Sequence, residues 1–95
     1  MKRKFSKMSK RIEKKAWPDM FEKVFRGDKD FDVRLADFDI NSGDTLVLRE
    51  WDPKTKNYTG RQIEKKVEFV FKTKDAKYWS KEDVEKYGFQ IISFD

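Results

Sequence analysis

Apolar and polar residues alternate without a break from Asp30 to Leu35. Phe31, Val33 and Leu35 fall on one side, and Asp30, Asp32 and Arg34 on the other. A period of two predicts a half-buried strand. The same period returns from Thr45 to Trp51, where Leu46 and Leu48 share a face with Glu50 while Val47, Arg49 and Trp51 share the opposite one. A third alternation, from about Arg61 to Lys72, puts Ile63, Lys65, Val67, Phe69 and Phe71 in phase, with Lys65 interrupting the apolar side near its start. Phe69 and Phe71 are expected in the core. Phe89–Phe94 reads as a final strand buried in part on both faces, and Ile12–Trp17 as a short extended segment.

Between these runs the period lengthens. Met20, Phe21, Val24 and Phe25 recur at helical spacing behind Pro18, which suits a first helical turn, and Gly27 supplies a stop, so a helix is predicted over about 18–26. Ser80-Lys-Glu-Asp83 resembles a capping box that opens a second, shorter helix ending near Gly88. Asn41-Ser-Gly-Asp44 is a turn, and 52–60 and 72–79 are loops. Strand, helix, three strands, helix and strand in one unbroken unit predict an α+β domain. A small, mixed, mostly antiparallel β-barrel with a capping helix fits that order.

Charge changes the picture at one end. Residues 1–15 carry eight basic side chains against Glu13, whereas the remaining eighty carry 15 basic and 17 acidic groups. The basicity therefore belongs to an N-terminal arm, residues 1–10, expected to be flexible and suited to phosphate contacts or an acidic membrane surface through its field. The plain alternative is a solubilising leader. Residues 11–95 form the single folded domain.

Absences narrow the chemistry. With no cysteine and no histidine, the chain has no thiolate nucleophile, no Ser-His-Asp triad and no imidazole zinc site. No metal and no cofactor are implied. No apolar run reaches the roughly 18–20 residues of a membrane span, and the charged N-terminus lacks the apolar stretch of a secretory signal. A cytoplasmic monomer is expected, with no membrane partner.

Several blocks together point to a family. Trp17-Pro-x-x-Phe21 in a helix is followed by Gly27-x-Lys29-x-x-Asp32-x-Arg34 and by Ser42-Gly43-Asp44 before a strand. Leu48-Arg-Glu-Trp-Asp-Pro53 and Tyr58-Thr-Gly-Arg61 complete the set. In these blocks the chain, over about residues 12–94, resembles the ASCH domains of the PUA-like superfamily, in particular a small, largely uncharacterised group common in bacteria and their phages. The resemblance implies a PUA-like pseudo-barrel with a helix across one opening. It also implies RNA or modified-nucleotide binding between that helix, the Gly-x-Lys loop and the barrel mouth. Lys29 and Arg34 fall on the family's basic positions, and Asp32 stands where Glu or Thr is usual. The group's opening His-x-Leu-Lys is here Ile12-Glu-Lys-Lys15, so only Lys15 matches. A related branch is an acetylcytidine amidohydrolase using Lys, Thr and Glu. Lys29 would match its lysine, but Asp32 occupies the threonine position and no distal Glu is assigned.

The expected function is an RNA- or nucleotide-binding module whose cleft is lined by Lys15, Trp17, Lys29, Asp32, Arg34, Arg49 and Trp51. Arginines and lysines would hold phosphates, tryptophans would stack bases, and Asp32 would read a donor edge. Each residue also has a structural alternative: Lys29 with Asp32 as a surface ion pair, the two arginines paired with Asp30, Asp32 or Glu50, and Trp17 in the core. Tyr58 and Arg61 are expected to close the hairpin. Two other readings remain open. One is a hydrolase acting on RNA or a modified nucleoside, with Lys29 and Asp32 as the acid–base pair. The other is a protein-interaction module of a mobile element, with the arm or the Lys72–Trp79 loop meeting an acidic protein partner.

Overall fold

A computed structural model describes residues 9–94. Its elements are β1 (Arg11–Ala16), α1 (Pro18–Phe25), β2 (Thr45–Asp52), β3 (Asn57–Lys66), one 3₁₀ turn (Thr73–Asp75) and α2 (Lys81–Tyr87). The strands make one sheet in the order β1-β2-β3. β1 runs parallel to β2, with Arg11 opposite Thr45 and Ala16 opposite Glu50. β3 returns antiparallel to β2, with Thr45 opposite Lys66 and Asp52 opposite Asn57. A parallel pair needs a crossover, which α1 and residues 26–44 provide.

α1 begins as its residues dictate, with Pro18 in the first turn and Trp17 extended before it. It ends in a Schellman motif: Gly27 at φ +81° donates to the Val24 carbonyl at 3.1 Å, and Asp28 donates to the Lys23 carbonyl at 2.9 Å. The helix drops Phe21 and Val24 onto Ala16 and Leu48, with Leu46 and Ile63 packed alongside. This is the core. Phe21 is fully buried, and its truncation would cost about 3–5 kcal/mol.

Asp44 ties the starts of the parallel strands together. Its carboxylate accepts from the backbone N–H of Lys10 at 3.0 Å and of Asn41 at 2.8 Å. The Lys10 ammonium meets Asp39 at 2.7 Å. Lys10, the last residue of the basic arm, thus bonds to the folded domain. Residues 1–8, the rest of that arm, lie outside the described residues.

Four further expectations change. Residues 30–35 form no strand: the Arg34 side chain takes the Lys15 carbonyl of β1, so a guanidinium stands where a ladder N–H would otherwise come. β3 ends at Lys66 instead of Lys72 because its partner β2 begins at Thr45. Beyond it Val67 bonds back to Gly43 and Asp44 of the turn. At its other end β3 starts at Asn57, four residues earlier than its alternation predicts, because the ladder resumes past a bulge. Residues 89–94 have no strand partner among the described residues. Phe69 (79% exposed) and Phe71 (51%) are therefore at the surface and not in the core, and so are Trp79, Ile92 and Phe94. Among the described residues the sheet does not close into a barrel.

Candidate nucleic-acid interface

The register places Lys15 beside Arg49 across the parallel pair and Tyr58 beside Trp51 across the antiparallel one. All four lie on the sheet face opposite α1. The pairing depends on an irregularity. Between Arg49 and Trp51 the partner strand moves from Gln62 to Tyr58, so residues 59–61 bulge opposite Glu50. Gly60, at φ +98°, allows that bulge.

The four side chains interlock as alternating cations and rings. The Lys15 ammonium lies 3.8 Å from the centroid of Trp51, and the Arg49 guanidinium 3.8 Å from that of Tyr58. The two rings meet edge to face at 5.1 Å. Such cation–ring contacts are worth about 0.5–1 kcal/mol at exposed sites. Arg49 also reaches Glu13 at 3.6 Å. Further along the same face Arg11 pairs with Glu64 at 2.7 Å. Its guanidinium hydrogen bond holds the Glu64 carboxyl below its ordinary range, and the same bond raises Arg11.

The other predicted residues form separate groups. Asp32 and Arg34 are an ion pair at 2.5 Å, and Arg34 Nη2 donates to the Lys15 carbonyl at 2.6 Å. Among the described residues Lys29 makes no ion pair with Asp32, which pairs with Arg34 instead, so the surface salt bridge expected as their structural alternative is absent. The Schellman motif turns Lys29 back under α1, where its own N–H bonds the Lys23 carbonyl at 3.1 Å. There it is 9% exposed, with its ammonium 3.7 Å from the Met20 sulfur and 4.9 Å from the Phe31 ring centroid. Trp17 is 59% exposed and not part of the core. The expected single cleft is therefore three groups: the sheet face with Lys15, Arg49 and Trp51, the loop pair Asp32–Arg34 tied to it through Lys15, and Lys29 beneath the helix.

Tyr58 belongs to the sheet-face group, although its sequence position suggests only hairpin closure. The signal for it was Gly60: counting a bulge there brings Tyr58 opposite Trp51. Arg61 does act structurally. It donates two bonds of 3.1 Å to Glu22 of α1 and lies over the rings of Phe21 and Phe25.

Among the described residues no group of three or more acidic side chains could hold a metal ion, and no helix is long and apolar enough to cross a membrane. The fold is thus a small α+β domain with a mixed three-stranded sheet, one face covered by a helix and the other carrying cations on aromatic rings. Residues 13–83 match the family described as Domain of unknown function (DUF3850), and the chain belongs to that family. No curated protein and no solved structure matches it significantly.

Proposed function

We propose that this domain is an RNA- or nucleotide-binding module of the PUA-like, ASCH type, and that the sheet face around Trp51 is its binding surface. The observation that carries the reading is the interlocked set Lys15–Trp51–Tyr58–Arg49. Single-stranded nucleic acid is held by bases stacked on rings and by cations along the backbone, each stacked base contributing about 1–3 kcal/mol. Here each cation covers a ring face in the free protein. A base arriving on Trp51 displaces the Lys15 ammonium, which is then free to meet a phosphate. Arg49 can turn likewise from Tyr58, with Glu13 as the group it must leave. A PUA-like pseudo-barrel would be completed by segments 28–44, 67–72 and 89–94 coming beside the sheet.

The test is titration of the ¹⁵N-labelled chain with short single-stranded RNA at low and at moderate salt. Salt-sensitive binding with shifts at Lys15, Arg49, Trp51 and Tyr58 supports the reading. Absence of both sinks it.

One observation favours a second reading as a protein-interaction module: Phe69, Phe71, Trp79, Ile91, Ile92 and Phe94 are exposed. Association that persists after nuclease treatment and is lost on Phe71→Ser would favour it over RNA binding.

A further inference from the structure

Consecutive residues of β1 serve two different places. Lys15 lies on the sheet face described above. Lys14 instead lines a cavity of about 260 Å³ together with Val33, Arg34, Leu35, Asp37 and Phe38. This space is slightly smaller than the roughly 300–1,000 Å³ of pockets that enclose drug-sized ligands. It is open to solvent and has room for one ring system with its substituents.

Its lining is specific in chemistry. Arg34 is anchored on two sides, by Asp32 at Nε and by the Lys15 carbonyl at Nη2. Nη1 has no partner among the described residues. A guanidinium held in this way loses little freedom on meeting an anion, which it can bind through Nη1. The Lys14 ammonium lies 3.8 Å from the centroid of the Phe38 ring, so a second cation covers an aromatic floor. Val33 and Leu35 are exposed apolar walls. Asp37, a carboxylate with no partner among the described residues, is the acceptor that could take donor groups from a base or a ribose.

We propose that this pocket binds a single nucleoside monophosphate, either free or as the phosphorylated end of a strand. The base would stack on Phe38 in place of Lys14, and the phosphate would lie between Arg34 and Lys14. The proposal rests on the nucleic-acid reading above and names a site and a ligand form that the sheet face does not require. Since Arg34 also binds the Lys15 carbonyl, the pocket and the stacking face meet at one residue of an edge strand.

The experiment uses the full ¹⁵N-labelled chain with adenosine and uridine monophosphates, the matching nucleosides and inorganic phosphate. The proposal expects amide shifts at Lys14 and residues 33–38, with the nucleosides and inorganic phosphate each bound at least tenfold more weakly than the monophosphates. Lys14→Gln should weaken monophosphate binding at least threefold. It is the informative variant, because Arg34→Gln also releases Asp32 and the Lys15 carbonyl. Equal affinity for nucleoside and monophosphate, equal affinity for inorganic phosphate, or no shift at 33–38 overturns it. A 5′-phosphorylated and a 5′-hydroxyl oligonucleotide of one sequence then separate the sources: tighter binding of the former assigns a strand end, and equal binding assigns the free nucleotide. If oligonucleotides shift Trp51 and Arg49 while monophosphates leave 33–38 unmoved, the pocket assignment falls and the sheet-face reading stands. If shifts are confined to 33–38, the pocket stands and the sheet face falls.

Discussion

The Thr59 hydroxyl donates to Glu50 Oε1 at 2.7 Å across the bulged hairpin. Glu50 is 6% exposed and lies on the face that α1 covers. Its other polar neighbour is Arg61, 3.9 Å away and already bonded to Glu22. A buried carboxylate deprived of its donor costs about 1–3 kcal/mol. Thr59→Val should therefore destabilise the domain by about that much in urea unfolding, while Thr59→Ser, which keeps the hydroxyl, should stay within about 1 kcal/mol of the parent. A loss in Thr59→Ser with none in Thr59→Val would show that the methyl group and not the hydrogen bond matters.

Gly60 sets the register that brings Tyr58 to Trp51. A Cβ built there meets nothing within 4 Å, yet φ is +98°. The cost of Gly60→Ala is thus backbone strain alone, about 1–2 kcal/mol, and no repacking is required. Urea midpoints measure the loss. If the bulge instead slips to relieve the strain, the near-ultraviolet circular dichroism of the Trp51–Tyr58 pair will change as well, which a simple strain cost would not cause.

At the sheet face the aromatic and the cation have separable effects. Trp51→Ala should lower RNA affinity by about 1–3 kcal/mol, the worth of one stacked base, at every salt concentration. Lys15→Gln should instead flatten the salt dependence by roughly 0.7 in the log–log slope, as expected for one phosphate contact with a single strand. Fluorescence anisotropy across a salt series separates the two. A Trp51→Ala variant that binds as tightly as the parent would remove Trp51 from the site.

Local signals were legible wherever one segment determines its own structure. α1 was readable from Pro18, its apolar stripe and Gly27 to within a residue, and the Ser80 cap is present, with the Asp83 N–H donating to Ser80 Oγ at 3.1 Å. β2 was equally plain from its alternation. What failed needed knowledge of a partner. The pattern at 30–35 is that of a strand, but Arg34 pairs with Asp32 and then takes a β1 carbonyl 19 positions away in the chain. Phe69 and Phe71 are in phase with Ile63, but only the stretch opposite β2 is laddered. The candidate site behaved similarly. Lys15, Arg49 and Trp51 were legible as basic and aromatic positions on short strands, whereas Lys29 was turned away by a helix-end motif whose hydrogen bonds no spacing reveals.

Acid should act on the strand starts before the core. The Asp44 carboxyl is held below its ordinary range, first by the Lys10 N–H and second by that of Asn41. Asp39 is lowered too, chiefly by its hydrogen bond from the Lys10 ammonium. A carboxylate whose folded pKa is depressed stabilises the fold fully above its unfolded value, about pH 4, and that contribution is lost as pH falls through the lower folded value. Asp44→Asn keeps one acceptor but no charge, so it should be less stable than the parent at pH 7. The gap should close as the parent is acidified toward about pH 2, because protonation then does to Asp44 what the substitution has already done. Urea midpoints of both proteins at several pH values measure this directly. A gap that stays constant from neutrality to acid would mean that Asp44 acts through shape and not through its charge.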